Sequence, residues 1–290
     1  MAQTILITGA SGGFGKLTTE TLLSKGHTVV ATMRDVEGRN KEKAQELAKL
    51  GAKVVELDVT NDQSVDTAIT NALREVGGID VVVNNAGVGV MGFQEGFTPD
   101  DFQKVFDINV FGVQRVIRAI LPHFKEKKSG TIINVSSLLG RMTIPFYGPY
   151  NASKWALEAL SENYRVELSQ HGIDVAIVEP GGFATEFFAA LLPPSDESRA
   201  ASYSEYQPQP QMFFENFDAA LAANPEQNPQ NVADAITGVI ETAPGSRAFR
   251  TIVDKMGMGD HLKGYNQSAD QITNGVYGAF GIDHLLSLKK

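Results

Sequence analysis

The chain contains no cysteine. That absence excludes disulfides, thiolate nucleophiles and cysteine metal sites. Positive charge is also scarce: 25 Lys and Arg stand against 34 Asp and Glu, a net charge of -9. A general nucleic-acid or anionic-membrane partner requires a basic face, so neither is expected. Apolar runs are short, and none approaches the roughly 20 residues of a membrane-spanning helix. The opening Ile5-Leu6-Ile7 run is too short for the core of a secretory signal and passes straight into a glycine-rich turn. It reads as a first strand, and the protein is expected in the cytoplasm. The five histidines are scattered without ligand spacing, so no metal is expected.

What is present suits a large core. Of 290 residues, 42% are apolar and 20% charged, and a doubly wound α/β sheet of this size is commonly one domain. Short β-rich runs alternate with helical patterns, which predicts parallel βαβ units and a Rossmann-type sheet in a single domain over 1–290. Strands are predicted around Thr4–Thr8, Thr28–Thr32, Lys53–Leu57, Asp80–Val83, Thr131–Val135, Asp174–Val178 and Ala248–Val253. Helices are predicted between them. Thr98-Pro99-Asp100-Asp101 gives one of them an N-cap, a first-turn proline and an acid three residues after the cap. Its stripe of Phe102, Val105, Phe106, Val113, Val116, Ile117 and Ile120 fits one buried helical face. After Pro180 the alternation stops. From about 183 to 231 aromatics mix with Pro, Gln, Ser and Ala, which reads as a small substrate-covering lobe. Within it the Gln207-Pro208-Gln209-Pro210 run is too short for a disordered linker.

Three features carry chemistry. Tyr150 and Lys154 stand four apart at a predicted helix start, thirteen residues after Ser137. One helical turn places an ammonium near a phenol and favours its ionised form. Bringing a phenol from ~10 to neutrality requires roughly 4 kcal/mol of differential stabilisation. The second feature, Thr8-Gly9-Ala10-Ser11-Gly12-Gly13-Phe14-Gly15, lies between the first strand and first helix, where a dinucleotide pyrophosphate can approach backbone amides at a helix N-terminus. The third is Met33, twenty residues after Gly13, where an NAD-binding fold tends to place an acid. Arg34 follows it. An arginine there suits a 2′-phosphate, or else is a solvated strand end.

With these motifs in order, residues 3 to 185 resemble the short-chain dehydrogenase/reductase superfamily. The TGxxxGxG form of the loop is similar to its compact branch. Asp58 in Leu-Asp-Val resembles the acid that contacts adenine, Asn84-Asn85-Ala86-Gly87 the segment after the fourth strand, and Pro180-Gly181 with Phe183 and Thr185 the nicotinamide-side segment. The Ala31-to-Asp35 run is similar to NADP(H)-using 17β-hydroxysteroid and retinol dehydrogenase-like members. The resemblance implies a catalytic tetrad: Tyr150 transfers the proton, Lys154 holds the nicotinamide ribose and acidifies Tyr150, Ser137 orients the reacting oxygen, and Asn109 supports a water relay to Lys154. It implies cofactor contacts from Gly9, Ser11, Gly13, Phe14, Gly15, Arg34, Asp58, Asn85, Ala86, Gly87, Pro180, Gly181, Phe183 and Thr185, with NADPH preferred over NADH.

Met142, Phe146 and Tyr147 between Ser137 and Tyr150, and Phe187 and Phe188 in the lobe, are the candidate substrate wall. The expected reaction is hydride transfer between NADP(H) and a carbonyl or alcohol, with a bulky apolar ketone or aldehyde as the small-molecule partner. Two other readings stand beside it: a catalytically idle NADP(H)-binding regulator, and an interaction module whose aromatic lobe binds protein. A homo-oligomer, dimer or tetramer, formed through helices at about 99–125 and 151–170, is implied by the resemblance alone.

Overall fold

The computed structural model describes residues 1–206 and 208–289; Gln207, which opens the Gln-Pro-Gln-Pro run, lies outside the described residues. Seven parallel strands form one sheet in the order β3-β2-β1-β4-β5-β6-β7. They are β1 (Thr4–Ile7), β2 (Thr28–Met33), β3 (Lys53–Glu56), β4 (Val81–Asn84), β5 (Gly130–Val135), β6 (Ile173–Pro180) and β7 (Arg250–Val253). Helices α1 (Gly13–Ser24), α2 (Lys41–Lys49), α3 (Asp62–Val76), α4 (Pro99–Phe106), α5 (Gly112–Lys127) and α6 (Gly148–Ser169) come before β6. After β6 follow α7 (Glu197–Ala201), α8 (Pro208–Ala222), α9 (Gln230–Glu241) and, beyond β7, α10 (Met258–Ala279).

The strands read as continuous apolar runs because helices cover both faces of the sheet. Side chains alternate between two cores. Leu6, Val30, Val82 and Ile132 face Val65, Ile69, Val116, Ile117 and Ile120 of α3 and α5. Ile5, Ile7, Val29, Val81, Val83 and Ile133 face Leu22 of α1 and Val232, Ile236 and Ile240 of α9. Each such side chain, fully buried, contributes roughly 1.5–3 kcal/mol. The strand order reverses between β1 and β4, and their carboxyl ends there open a crevice suited to a ligand.

The capping box at Thr98 and Asp101 is present, with Pro99 in the first turn. The single predicted stripe, however, is two helices joined by a π-helical turn at Asp107–Phe111. That turn carries the buried Asn109, and π turns are frequent where function demands an inward side chain. The region 183–231 is more regular than its sequence suggests, because α8 supplies fifteen helical residues. It is tied to the body by Leu192, which donates to the Gly89 carbonyl and accepts from the Met91 N–H. All three Asn-x-Ser sequons, at Asn134, Asn151 and Asn266, are buried, which leaves no room for a glycan. Among the described residues no helix is long and apolar enough to cross a membrane.

Candidate active site

The glycine-rich loop is clamped between strand ends. Ala10 N–H donates to the Thr32 carbonyl, while the Thr8 hydroxyl accepts the N–H groups of Asn85 and Ala86 at 3.0 and 3.1 Å. Asn85 returns its amide to the Thr8 and Gly9 carbonyls. Gly9 has φ +68, and a Cβ there would stand 2.9 Å from Ala86 Cα. No other residue fits. The first amides of α1 are thereby left facing the crevice, where the positive end of the helix dipole favours an anion.

At the outer end of the crevice stand Met33, Arg34, Arg39 and Asn40. Asp35, at φ +52, turns the chain and accepts the Arg39 N–H, and Asn40 donates to the Arg34 carbonyl at 2.6 Å. Two guanidinium groups are therefore available at this end. Asp58 stands beside them with its carboxylate bonded to the Thr60 N–H and hydroxyl at 2.9 and 2.8 Å. Burial pushes its acidity the other way, but those bonds together with Arg34 and Arg39 hold it below the usual carboxylate range.

At the inner end are Ser137, Tyr150 and Lys154. The Ser137 hydroxyl accepts the Leu139 N–H at 3.1 Å, donates to the Pro180 carbonyl at 3.4 Å and faces the Tyr150 hydroxyl. Lys154 donates to the Val135 carbonyl at 2.8 Å, and its Nζ lies 5.7 Å from the centre of the Tyr150 ring. Burial pushes the phenol up to about 12, only partly offset by Ser137, and holds the Lys154 ammonium down to about 8. Burial dominates at Tyr150, so the phenol stays protonated.

Asn109 is firmly anchored. It accepts the Val88 N–H, donates to the Val88 carbonyl, both at 2.9 Å, and donates to Ser153 Oγ at 3.0 Å. Both hydrogens of its side-chain amide are taken by these bonds. What it does is pin the chain after β4 to the helix that carries Tyr150 and Lys154.

A cavity of about 700 Å³ joins the two ends. Its inner wall is apolar, with Val88, Leu138 and Leu139 opposite Phe187, Phe213 and Phe217. Rings run outward in edge contacts from Tyr150 to Phe187 at 5.7 Å, to Phe188 at 5.8 Å and to Phe217 at 5.6 Å. Over the glycine loop lies Glu186, whose carboxylate occupies the space a Gly12 side chain would take and is 3.7 Å from Lys43. The open glycine cradle, the arginines at one end and the lysine at the other fit a nicotinamide dinucleotide. No cluster of three metal-binding side chains occurs among the described residues.

Residues 3–195 match the short chain dehydrogenase family. The chain belongs to that family. A 3-ketodihydrosphingosine reductase of Bacteroides thetaiotaomicron is 41% identical over 185 residues, 64% of this chain and 65% of the reductase. Human retinol dehydrogenase 8 is 36% identical over 249 residues, 83% of this chain and 78% of that protein. A short-chain dehydrogenase/reductase from Burkholderia phymatum, solved with NAD, superposes with a TM-score of 0.72 at 27% identity over 87% of this chain and 88% of its own. A metagenomic short-chain oxidoreductase solved with NADP gives 0.65 at 26% identity, over 87% and 96%.

As a short-chain dehydrogenase, the chain brings most of its sequence-predicted site residues to one cavity. The glycine loop residues Gly9, Ser11, Gly13 and Phe14, the strand-end residues Arg34, Asn85, Ala86 and Gly87, and the segment Pro180, Gly181, Phe183 and Thr185 all line it. Met142, Tyr147, Phe187 and Phe188 do so as well. Gly15 lies behind the loop against Gly9 and Asn85. Asp58 is turned onto Thr60, between the lining residues Leu57 and Val59. Phe146, at φ +68, stands one layer back, with its ring against Phe93 and Phe213. Arg39, Phe213, Phe217, Met256 and Met258 line the cavity without having been singled out. Phe213 and Phe217 belong to the aromatic lobe already expected to cover the substrate, and Arg39 is readable as a second cation soon after β2.

Proposed function

We propose that this short-chain dehydrogenase interconverts an alcohol and a carbonyl compound with NADP(H), acting on a bulky apolar ketone or aldehyde. The observation that carries the reading is the Tyr150 hydroxyl, facing Ser137, set over Lys154 and packed against Phe187 at the inner end of a cavity whose outer end holds two arginines. When bound, a reduced nicotinamide supplies the hydride. The Ser137 hydroxyl orients the substrate oxygen, and Tyr150 hands its proton to that oxygen as charge develops there. A protonated phenol is the form a donor requires. Lys154 stays charged below about pH 8, holds the ribose and steadies the tyrosinate left behind. Relatives named for retinol dehydrogenation and 3-ketodihydrosphingosine reduction support the same interconversion.

Preference for NADPH rests on Arg34 and Arg39, whose guanidinium groups suit a phosphate, and on Met33, which offers nothing to a ribose diol. Phe111 and Trp155, exposed on the helical segments 99–127 and 148–169, fit association of copies through those helices. The test is nicotinamide absorbance across a panel of large apolar and small polar ketones and aldehydes, with each cofactor. Turnover is expected fastest with NADPH and the large apolar members; no turnover of any member, or equal efficiency with NADH, contradicts the reading.

A further inference from the structure

Behind Lys154 lies a cluster of charges that this reaction does not use. Glu158 follows Lys154 by one turn on α6, and the two are 1% and 5% exposed. Glu179, on β6, is 0% exposed. Between the carboxylates stands Arg250 of β7, its Nε 3.0 Å from Glu158 Oε2 and 3.4 Å from Glu179 Oε1. From α10, Asn266 donates to Glu179 Oε2 at 3.0 Å, and Arg141, after β5, donates to Asn266 Oδ1. Glu162 of α6 and Asp270 of α10 pair with Arg250 from the solvent side. Glu162 also reaches Arg141, and Arg165 of α6 covers the Phe249 ring beside them.

Two buried carboxylates are costly, and apolar side chains of similar size would often serve stability better. Glu179 carries the larger share of that cost. Burial, then the charge of Glu158, pushes it up to about 7, and burial raises Glu158 as well, against the opposing charge of Arg250. Glu158 Oε1 has no well-formed hydrogen bond, and the neighbouring Ser136 hydroxyl has none either. Its charge is therefore incompletely quenched. One helical turn away is Lys154, whose ammonium burial discharges and Glu158 sustains.

We propose that Glu158 is a positioning residue for the reaction: its buried carboxylate keeps Lys154 charged beneath Tyr150, and Arg250 with Glu179 holds that carboxylate in place. The inference rests on reading Tyr150 and Lys154 as the proton-transfer pair. A neutral amine cannot favour a tyrosinate, so Glu158 matters most when Tyr150 must lose its proton.

The test needs no cofactor. Protein labelled with 13C at lysine Cε is titrated by NMR, the Lys154 resonance being identified by its loss in Lys154→Arg. Glu158→Gln keeps the shape and removes the charge, and should lower the Lys154 midpoint by about one pH unit. Glu158→Asp keeps the charge, and should move it by less than about 0.3. Glu179→Gln, farther from Lys154, should move it less than Glu158→Gln does. Should Glu158→Gln prove unfolded by circular dichroism, the double variant Glu158→Gln with Glu179→Gln removes both buried carboxyls, and the same lowering is expected. An unchanged midpoint in the folded Gln variant, or a larger shift from Asp than from Gln as a purely structural role requires, overturns the proposal. Retained turnover in Tyr150→Phe would instead overturn the catalytic reading and leave these midpoints untouched.

Discussion

Replacing Lys154 by Met is expected to stabilise the protein while disabling it. Burial holds the ammonium down to about 8 from its ordinary 10.5, a difference worth about 3 kcal/mol. Below pH ~8 the lysine is protonated in both states, and the whole of that penalty weighs on the fold. Between ~8 and ~10.5 the unfolded chain binds more protons than the folded one, so stability rises with pH until the penalty is gone. Met removes the charge but leaves the Val135 carbonyl without its 2.8 Å donor, a loss of about 1 kcal/mol. The net gain should be about 2 kcal/mol near pH 7 and should vanish near pH 10. Tyr150, held protonated to about 12, loses its own contribution as pH rises from ~10 through ~12, but it does so in both proteins and cancels in the difference. Denaturant unfolding of the two proteins at both pH values measures the gain. A Met variant less stable near pH 7, or a difference that does not change with pH, refutes the reasoning.

Arg34→Ala and Arg39→Ala should each lower the NADPH-to-NADH ratio of kcat/KM by about 10- to 100-fold, the worth of lost charge-assisted bonds to a phosphate; an unchanged ratio removes both from the cofactor. Changing Phe187 and Phe188 together to Ala should cut kcat/KM for a large apolar ketone by about tenfold or more while sparing a small one, and equal losses would make these rings lobe packing. Glu186→Gln, which takes a carboxylate off the glycine loop, should tighten NADPH binding about threefold in a fluorescence titration. Weaker binding would mean that Glu186 helps hold the cofactor.

The sheet was legible because strands covered on both faces must be apolar throughout, and each of the seven predicted runs became a strand. Tyr150, Lys154 and Ser137 were legible because four-residue helical spacing is local. What the chain does not display locally was missed. Helix α8 points Phe213 and Phe217 at a cavity rather than a core, so its periodicity does not look amphipathic, and Pro208 and Pro210 in its first turn resemble loop punctuation. Helix α10 is largely exposed; its buried positions are Gly259, Leu262 and Asn266, too few apolar residues to set a stripe. The phenol's direction of shift depends on burial, which no spacing reports. Asn109 was found, but its three partners come from Val88 and Ser153, and only the fold brings those together.

The central claim is that Tyr150 gives the proton. NADPH oxidation with a large apolar ketone, compared between the unmodified protein and Tyr150→Phe with NADPH affinity measured in parallel, tests it most directly. The rate should fall by ~10²–10⁴-fold while the dissociation constant stays within about twofold, because the variant loses a hydroxyl and little shape. A variant that keeps more than about a tenth of the rate, or loses NADPH binding along with it, contradicts the account.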